Sequence, residues 1–384
     1  MSSCRAARKD SRVQQEVYEK TAYKPELSVI VPLYNESGTL ESLFRTLAEQ
    51  LEVLFELVVC DGGSTDASVA TVRSLAESAP FPVTLTGCKK GRGLQLNTGA
   101  AASRGTTLLF LHADSLFTDR HALRNSLDAL AAEISASGND RLAGHYTLRF
   151  VRSSATPSWG YYYYECKARL HRSGCIHGDQ GLLLRRTFFN AVGPFDASLP
   201  ILEDTRLAET IRRKGKWLLL PAELLTSARR FEIEGLAERQ TLNAIIFNFA
   251  AIGRDDFLRE IPQLYSCQDR SRRLRLAPFF SRFRELIRGL PWRERLGLWY
   301  ATGAYVRGNA WQLAFALDTR RTFHRGMPPI EGSAAFLACY DRYLDRLTDH
   351  APGRLAAALL VLLWFELTCL VASLRDKPHR HRNH

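Results

Sequence analysis

Four apolar runs punctuate the first 111 residues, and three of them close on a polar cluster. Leu27-Ser28-Val29-Ile30-Val31-Pro32 is apolar almost throughout, the pattern of a strand buried on both faces in a parallel sheet. Residues 55–60 repeat it and stop at Asp61-Gly62-Gly63-Ser64-Thr65-Asp66, a shorter run covers 83–86, and residues 107–111 stop at His112-Ala113-Asp114-Ser115. Helical patterns lie between them: one capped by Ser37 or Thr39 and running to about Leu51, one from Ala67 to about Ser78 with Asp66 as its cap, and a Gly-rich start at Gly91-Arg92-Gly93. Strands alternating with helices of this length predict an α/β layered sheet. Ligands of such sheets bind beyond the carboxyl ends of the strands, where residues 32–36, 61–66 and 112–115 fall.

Further along, Gly178-Asp179-Gln180-Gly181 precedes Leu182-Leu183-Leu184, and Gly193-Pro194-Phe195-Asp196 turns the chain towards Glu203-Asp204. That pair opens a helical pattern ending at Gly215, and a strand-like run over 217–221 leads to Ser227-Ala228-Arg229-Arg230. Residues 286–298 and 311–317 mix arginine with Leu, Trp and Phe as helices with one buried face do, and Pro328-Pro329 marks a break. Residues 355–374 carry Glu366 as their only charge and lie between Arg354 and Arg375. Twenty such residues can span a bilayer, lie in its interface or form a core helix. A central Glu costs about 2.5–3.5 kcal/mol in a span. The expected organisation is an arm over 1–24, a sheet domain over 25–255 and a basic helical region over 256–384.

Composition narrows the class. Of 384 residues, 46% are hydrophobic and 24% charged, which excludes a disordered, collagenous or multi-span chain. Residues 270–384 hold 20 Lys and Arg against 9 Asp and Glu, so they carry +11 of the net +12. An anionic partner is therefore expected for the last third alone, a membrane surface rather than nucleic acid, for which no motif is present. Eight cysteines without CxxC spacing point to a reducing, cytoplasmic setting, and the polar N-terminal stretch lacks the apolar region of a secretory signal.

The polar clusters can carry chemistry. Asp61 can accept a hydrogen bond from a base edge or ribose, with Gly62-Gly63 allowing close backbone approach. Asp114 offers carboxylate oxygen to Mn²⁺ or Mg²⁺, with His112 two residues earlier as a second donor. Of Glu203 and Asp204 at a helix start, the dipole explains one, leaving the other to act as a base. Arg229 and Arg230 match phosphate geometry. No GxSxG, HExxH or Walker sequence occurs and Gly91-Arg92-Gly93 lacks the GxGxxG continuation, which argues against hydrolase, kinase and dehydrogenase readings.

Taken in order, SVIVPLYNE, DGGSTD, KGRGLQLNTGA, LLFLHADS, GDQGLLLRR, GPFD, ED and SARRF resemble a family 2 glycosyltransferase of the GT-A fold. More narrowly they resemble its bacterial subgroup often encoded near radical-SAM and selenium-related proteins. The resemblance covers roughly residues 27–252. It implies inverting transfer from a nucleotide-diphosphate sugar to an acceptor that composition does not identify, lipid-linked or cell-envelope in kind. It implies Pro32, Tyr34 and Glu36 in the nucleoside pocket, Asp61 on the base, and Arg92 and Asp179 among the donor-binding residues. It further implies Asp114 as the surviving acid of the DxD motif, His112 in place of the first acid, Asp204 with Glu203 as the catalytic acids, and Arg229 and Arg230 on the diphosphate. The rival from another class is a non-catalytic nucleotide-sugar-binding or membrane scaffold protein. The implied location is the cytoplasm, at the inner face of the membrane.

Overall fold

The computed structural model describes residues 24–268, 272–329 and 334–375; the arm expected over 1–24 lies almost wholly outside them. The described residues fall into two compact units. The first holds the chain up to Arg149, with His171–Ala197 and Leu202–Thr226, and the second holds Phe150–Leu170, Ser198–Ile201 and the residues from Ser227 on.

In the first unit the apolar runs become one sheet. Its strands are β1 (Leu27–Leu33), β2 (Phe55–Asp61), β3 (Val83–Gly87), β4 (Thr107–Phe110), β5 (Leu116–Phe117), β6 (Leu142–Val151), β7 (Leu182–Arg185) and β8 (Lys216–Ser227), in the order β3-β2-β1-β4-β7-β6-β8-β5. The first four lie parallel, with Leu33 opposite Asp61 and Ile30 opposite Phe110. β7 then runs antiparallel to both β4 and β6, and β5 antiparallel to β8. The sheet is therefore mixed.

The unbroken apolar character of β1 has a direct cause. Leu27, Val29, Val31 and Leu33 face one core with Leu40, Leu43 and Leu47, while Ile30 faces the other with Val58, Leu96 and Ala100. Each such side chain contributes about 1.5–3 kcal/mol on leaving water. At the amino-terminal edge of the sheet the buried Glu56 accepts hydrogen bonds from Ser28 Oγ (2.8 Å) and the Gly105 N–H (3.3 Å), and pairs with Arg104 (3.1 Å). That edge is satisfied and closed, which leaves the carboxyl edge for ligands.

Helix ends differ from the sequence pattern in small ways. The first helix spans Ser37–Ala48 and stops three residues short of Leu51. Neither expected cap binds its N-terminus: Glu36 holds the cap position, and Thr39 Oγ1 donates back to the Glu36 carbonyl at 3.0 Å. The next helix spans Ser68–Ser78, and Asp66 Oδ1 accepts the Ser68 N–H at 2.9 Å.

The second unit is helical, built from Trp159–Lys167, Arg229–Glu234, Leu236–Ala251, Asp255–Ser266, Ala277–Gly289, Trp292–Gly308, Trp311–His324 and Ala351–Arg375, with shorter turns between 335 and 348. Its core is aromatic: Phe249 stacks on Phe257 with centroids 4.2 Å apart, and Phe283 packs on Phe249 at 5.1 Å. The helix expected over 286–298 is instead two, because Pro291 separates Ala277–Gly289 from Trp292–Gly308; proline has no N–H to continue the ladder.

Candidate active site

Three polar loops leave the carboxyl edge of β1, β2 and β4 as neighbours. The loops after β1 and β2 are tied together by Asn35, which adopts φ 55°. Its Oδ1 accepts the Thr65 N–H at 2.8 Å, and its own N–H reaches Ser64 Oγ at 3.0 Å. Asp61 turns its carboxylate onto the N–H groups of Gly63 (2.9 Å) and Ser64 (3.1 Å). Glu36 donates its N–H to Ser68 Oγ at 2.9 Å, and Asp66 also accepts the Ser37 N–H at 3.3 Å. Hydrogen bonds to the charged form hold the Asp66 carboxyl at about 2. Beneath these loops Gln95 donates to the carbonyls of Leu33 (2.7 Å) and Cys60 (2.9 Å). A Cβ on Gly62 would lie 2.9 Å from its amide, so a larger residue would displace that amide from its two hydrogen bonds. Lys90 Nζ stands 3.8 Å over the ring of half-buried Tyr34, leaving an aromatic face framed by positive charge.

The charged cluster forms where the loop after β4 meets distant parts of the chain. Arg92, in the first turn of helix Arg92–Ala102, pairs through Nε with the buried Glu203 and through Nη2 with Asp204 at 3.1 Å, and its Nη1 lies 3.5 Å from His112 Nε2. Glu203 and Asp204 open helix Glu203–Lys214, preceded by Leu202 at φ 67°. A branched side chain in the left-handed region is strained, and such strain concentrates at functional sites. Asp204 Oδ2 also accepts the Gly178 N–H at 2.8 Å. A Cβ on Gly178 would stand 2.7 Å from Asp204 Oδ2 and 3.1 Å from His112 Nε2. Glycine is what lets that short turn, Gly178–Gln180, close on the pair.

The electrostatics split these acids. Burial pushes the Asp204 carboxyl up, but Arg92, His177, the Gly178 N–H and His112 outweigh it and leave the group well below the usual carboxylate range. Glu203 is raised, because burial exceeds the pull of Arg92 and Asp204 adds repulsion. Asp179 is pushed up to about 7, first by burial and then by the charges of Asp204 and Asp114, and its buried Oδ1 has no hydrogen-bond partner. Adjacent carboxylates driven apart in this way can divide acid and base roles between them.

An open cleft lies beside the cluster, with Arg92, His112, His177, Gly178 and Asp204 as its polar wall and Phe110, Ile176, Phe195 and Trp217 among its apolar one. Among the described residues no three His, Cys, Asp or Glu side chains converge as a metal cage. The donors present nevertheless suit a hard cation that shares its shell with phosphate and water, since Asp114 and the unpartnered Asp179 Oδ1 are carboxylate oxygens whose charges feel one another.

Of the residues singled out in the sequence, the structure brings together Arg92, His112, Asp114, Asp179, Glu203 and Asp204. Pro32, Tyr34, Glu36 and Asp61 lie along the β1 and β2 loops. Arg229 and Arg230 belong to the second unit, in the first turn of Arg229–Glu234, where Arg230 Nε stands 3.9 Å from Glu234. Sequence reading missed Asn35, Lys90, Gln95 and His177. Asn35, Lys90 and Gln95 stand inside motifs already quoted, and His177 directly precedes another, so motif membership or adjacency was their only signal.

Residues 28–193 match the family model described as Glycosyl transferase family 2. A PGL/p-HBAD biosynthesis glycosyltransferase of Mycobacterium tuberculosis is 28% identical over 181 residues, 47% of this chain and 67% of the relative. The succinoglycan biosynthesis protein ExoA of Rhizobium meliloti is 27% identical over 200 residues, 49% of this chain and 58% of its own. Among solved structures, the mannosyltransferase PcManGT from Pyrobaculum calidifontis, in complex with GDP-Man and Mn²⁺, is 21% identical, with a TM-score of 0.46 over 89% of this chain and 88% of that one. Residues 28–193 thus match a glycosyltransferase family 2 domain within a mixed α/β sheet, and this match together with the glycosyltransferase relatives supports a glycosyltransferase.

Proposed function

We propose that the enzyme moves a sugar from a nucleotide-diphosphate donor to an acceptor hydroxyl with inversion at the anomeric carbon. The observation that carries this reading is the cluster in which Arg92 holds Glu203 and Asp204 beside His112 and Gly178. Inversion in one step needs a base on the acceptor proton and positive charge at the departing diphosphate. The acceptor oxygen attacks the anomeric carbon, the bond to the diphosphate oxygen breaks with its electron pair, and the acceptor proton passes to a carboxylate. Asp204 takes that proton, and Glu203 holds Arg92 in place. Arg92 now neutralises both acids. When the donor diphosphate competes for its guanidinium, Asp204 loses a stabilising partner and becomes more basic.

Tyr34 offers its ring to the base, Pro32 and Glu36 flank the nucleoside, and Asp61 shapes the loop that meets it. Asp114, with His112 beside it and Asp179 close by, would hold Mn²⁺ or Mg²⁺. When bound, the ion supplies positive charge against the leaving diphosphate. Asp179 has a specific observation in favour of a second role: an unpartnered buried oxygen on a group raised to about 7 suits a proton acceptor near neutral pH, so Asp179 is the alternative base.

The catalytic unit in this reading occupies residues 25–255. The enzyme works in the cytoplasm, at an anionic membrane face, on a lipid-linked or cell-envelope acceptor, and the narrower kinship with the radical-SAM-associated subgroup belongs to the same reading. A thermal-shift screen of nucleotide sugars with and without Mn²⁺, followed by assay of released nucleoside diphosphate, tests it. Binding raises the melting temperature by mass action. A stabilising donor that is never turned over would favour the non-catalytic binding or scaffold reading.

A further inference from the structure

We infer that helix Ala351–Arg375 lies flat in the interface of an anionic bilayer, with its outward face in lipid and its inner face on the helices beside it, rather than crossing the membrane. This rests on the membrane placement proposed above and gives it a mode. The helix has 25 residues, about 38 Å at 1.5 Å per residue, so its length fits either arrangement. Its two faces decide between them. Leu355, Leu359, Leu360, Leu363, Leu367 and Leu370 fall within one half of the helical wheel and are each 52–69% exposed. Ala358, Phe365 and Cys369 fall on the opposite half and are buried. Phe365 packs on Phe280 and Trp299, with centroids 5.3 and 5.6 Å apart. A Cβ on Gly303 would stand 2.6 Å from the Ala358 Cβ, so the neighbouring helix approaches at backbone distance.

The lone charge of the segment is also accounted for: Glu366 pairs with Arg284 of helix Ala277–Gly289. The neighbours are what exclude a span. Helices Ala277–Gly289 and Trp292–Gly308 pack alongside this one and carry Arg282, Glu285, Arg288, Arg293 and Arg295. Threading the packed helix through hydrocarbon would draw these charges in with it, which is costly for each. Lying in the interface needs only the leucine face to leave water. Residues 270–384 hold nearly all the net positive charge of the chain, which favours an anionic surface over a neutral one. Helix Trp292–Gly308 adds exposed Trp292, Leu296 and Tyr300 at spacing i, i+4, i+8, and aromatic side chains with one wet end favour the headgroup level. A second copy of the chain would place like-charged surfaces together, so lipid is the occupant that charge favours.

The test uses the full chain carrying a protease-cleavable tag after His384, added to preformed phosphatidylcholine vesicles with and without phosphatidylglycerol. Flotation is expected with the anionic vesicles, and protease added outside should remove the tag from the bound protein, since an in-plane helix keeps both ends on the side it approached from. The variant Leu360→Glu/Leu363→Glu/Leu367→Glu should lose at least about tenfold in vesicle partition while keeping its circular dichroism and its donor turnover. A tag protected from protease would overturn the in-plane mode and leave membrane placement standing. Absence of flotation would overturn both, and donor turnover would be unaffected by either result. Concentration-dependent dimerisation that the triple variant abolishes, without vesicle binding, would also overturn the proposal and assign the face to a second copy.

Discussion

Replacing Arg92 by methionine removes one charge at nearly constant length and leaves two adjacent acids unbalanced. Glu203 is only 2% exposed in its side chain, Asp204 12%, and Arg92 40%. Breaking a buried pair costs about 3–5 kcal/mol. The partial exposure of Arg92 admits solvent screening, which brings the expected loss to about 2–3 kcal/mol near neutral pH. The loss has a sign in pH. Without Arg92 the raised Glu203 carboxyl goes higher still, and a group raised on folding contributes stability below its unfolded value of about 4.3 that disappears as pH rises through the folded one. Asp204, lowered in the native protein, contributes stability above its unfolded value, and the variant forfeits that contribution. The Asp204 part of the deficit is already present at pH 4 and fades only below it, as pH falls through the lowered folded value. The Glu203 part appears as pH rises above about 4.3, so the deficit should grow from pH 4 towards pH 7 through Glu203. Urea denaturation of both proteins across that range measures it. Adding Glu203→Gln to the variant should recover about half of the loss or more, since the coupled partner is then neutral. A deficit independent of pH, or one below about 1 kcal/mol at neutral pH, would refute the electrostatic account of this cluster and leave Arg92 as a packing residue.

Three further outcomes follow from the site. Gly178→Ala places a methyl group against Asp204 and His112 and should lower donor turnover at least about tenfold while shifting stability by less than about 2 kcal/mol, read from initial rates beside a thermal melt. Asp114→Ala should weaken metal-dependent binding of the nucleoside diphosphate far more than His112→Ala does, because a hard cation prefers carboxylate oxygen; calorimetric titration with and without Mn²⁺ compares them, and equal losses would make His112 a full ligand. If Asp179 is the base, its raised carboxyl predicts an acidic limb in the rate profile near pH 7 that Asp179→Asn abolishes along with most activity. If Asp204 is the base, the limb survives in Asp179→Asn.

How far the sequence carried depended on the range of the interactions involved. The parallel half of the sheet was legible because β1, β2 and β4 are buried on both faces and so read as continuous apolar runs. Strand β6 (Leu142–Val151) went unread: Gly144, His145, Thr147 and Arg149 interrupt its apolar pattern, and its place in the sheet comes from antiparallel pairing with β7. The strand-like run over 217–221 understated β8, which continues to Ser227 through Glu223. In the site, the motifs named Arg92, Glu203 and Asp204 separately. That one guanidinium binds both acids across more than a hundred residues is a fact of tertiary packing with no local trace. The left-handed Leu202 is likewise invisible beforehand, because nothing in a leucine announces a positive φ. For residues 355–374 the sequence left core, interface and span open. The exposed leucine face and the pairing of Glu366 with Arg284, a residue of another helix, are facts of packing with no trace in the segment itself.

The stereochemistry of transfer tests the central claim most directly. The purified enzyme, supplied with Mn²⁺ and the donor that stabilises it, is followed by proton NMR as the glycoside or the released sugar forms. Inversion predicts that the first product carries the anomeric configuration opposite to the donor, with one nucleoside diphosphate released per sugar moved, and that Asp204→Asn abolishes both signals while binding the donor within a few-fold of wild type. A first product with the configuration of the donor, or undiminished turnover in Asp204→Asn together with Asp179→Asn, would contradict it.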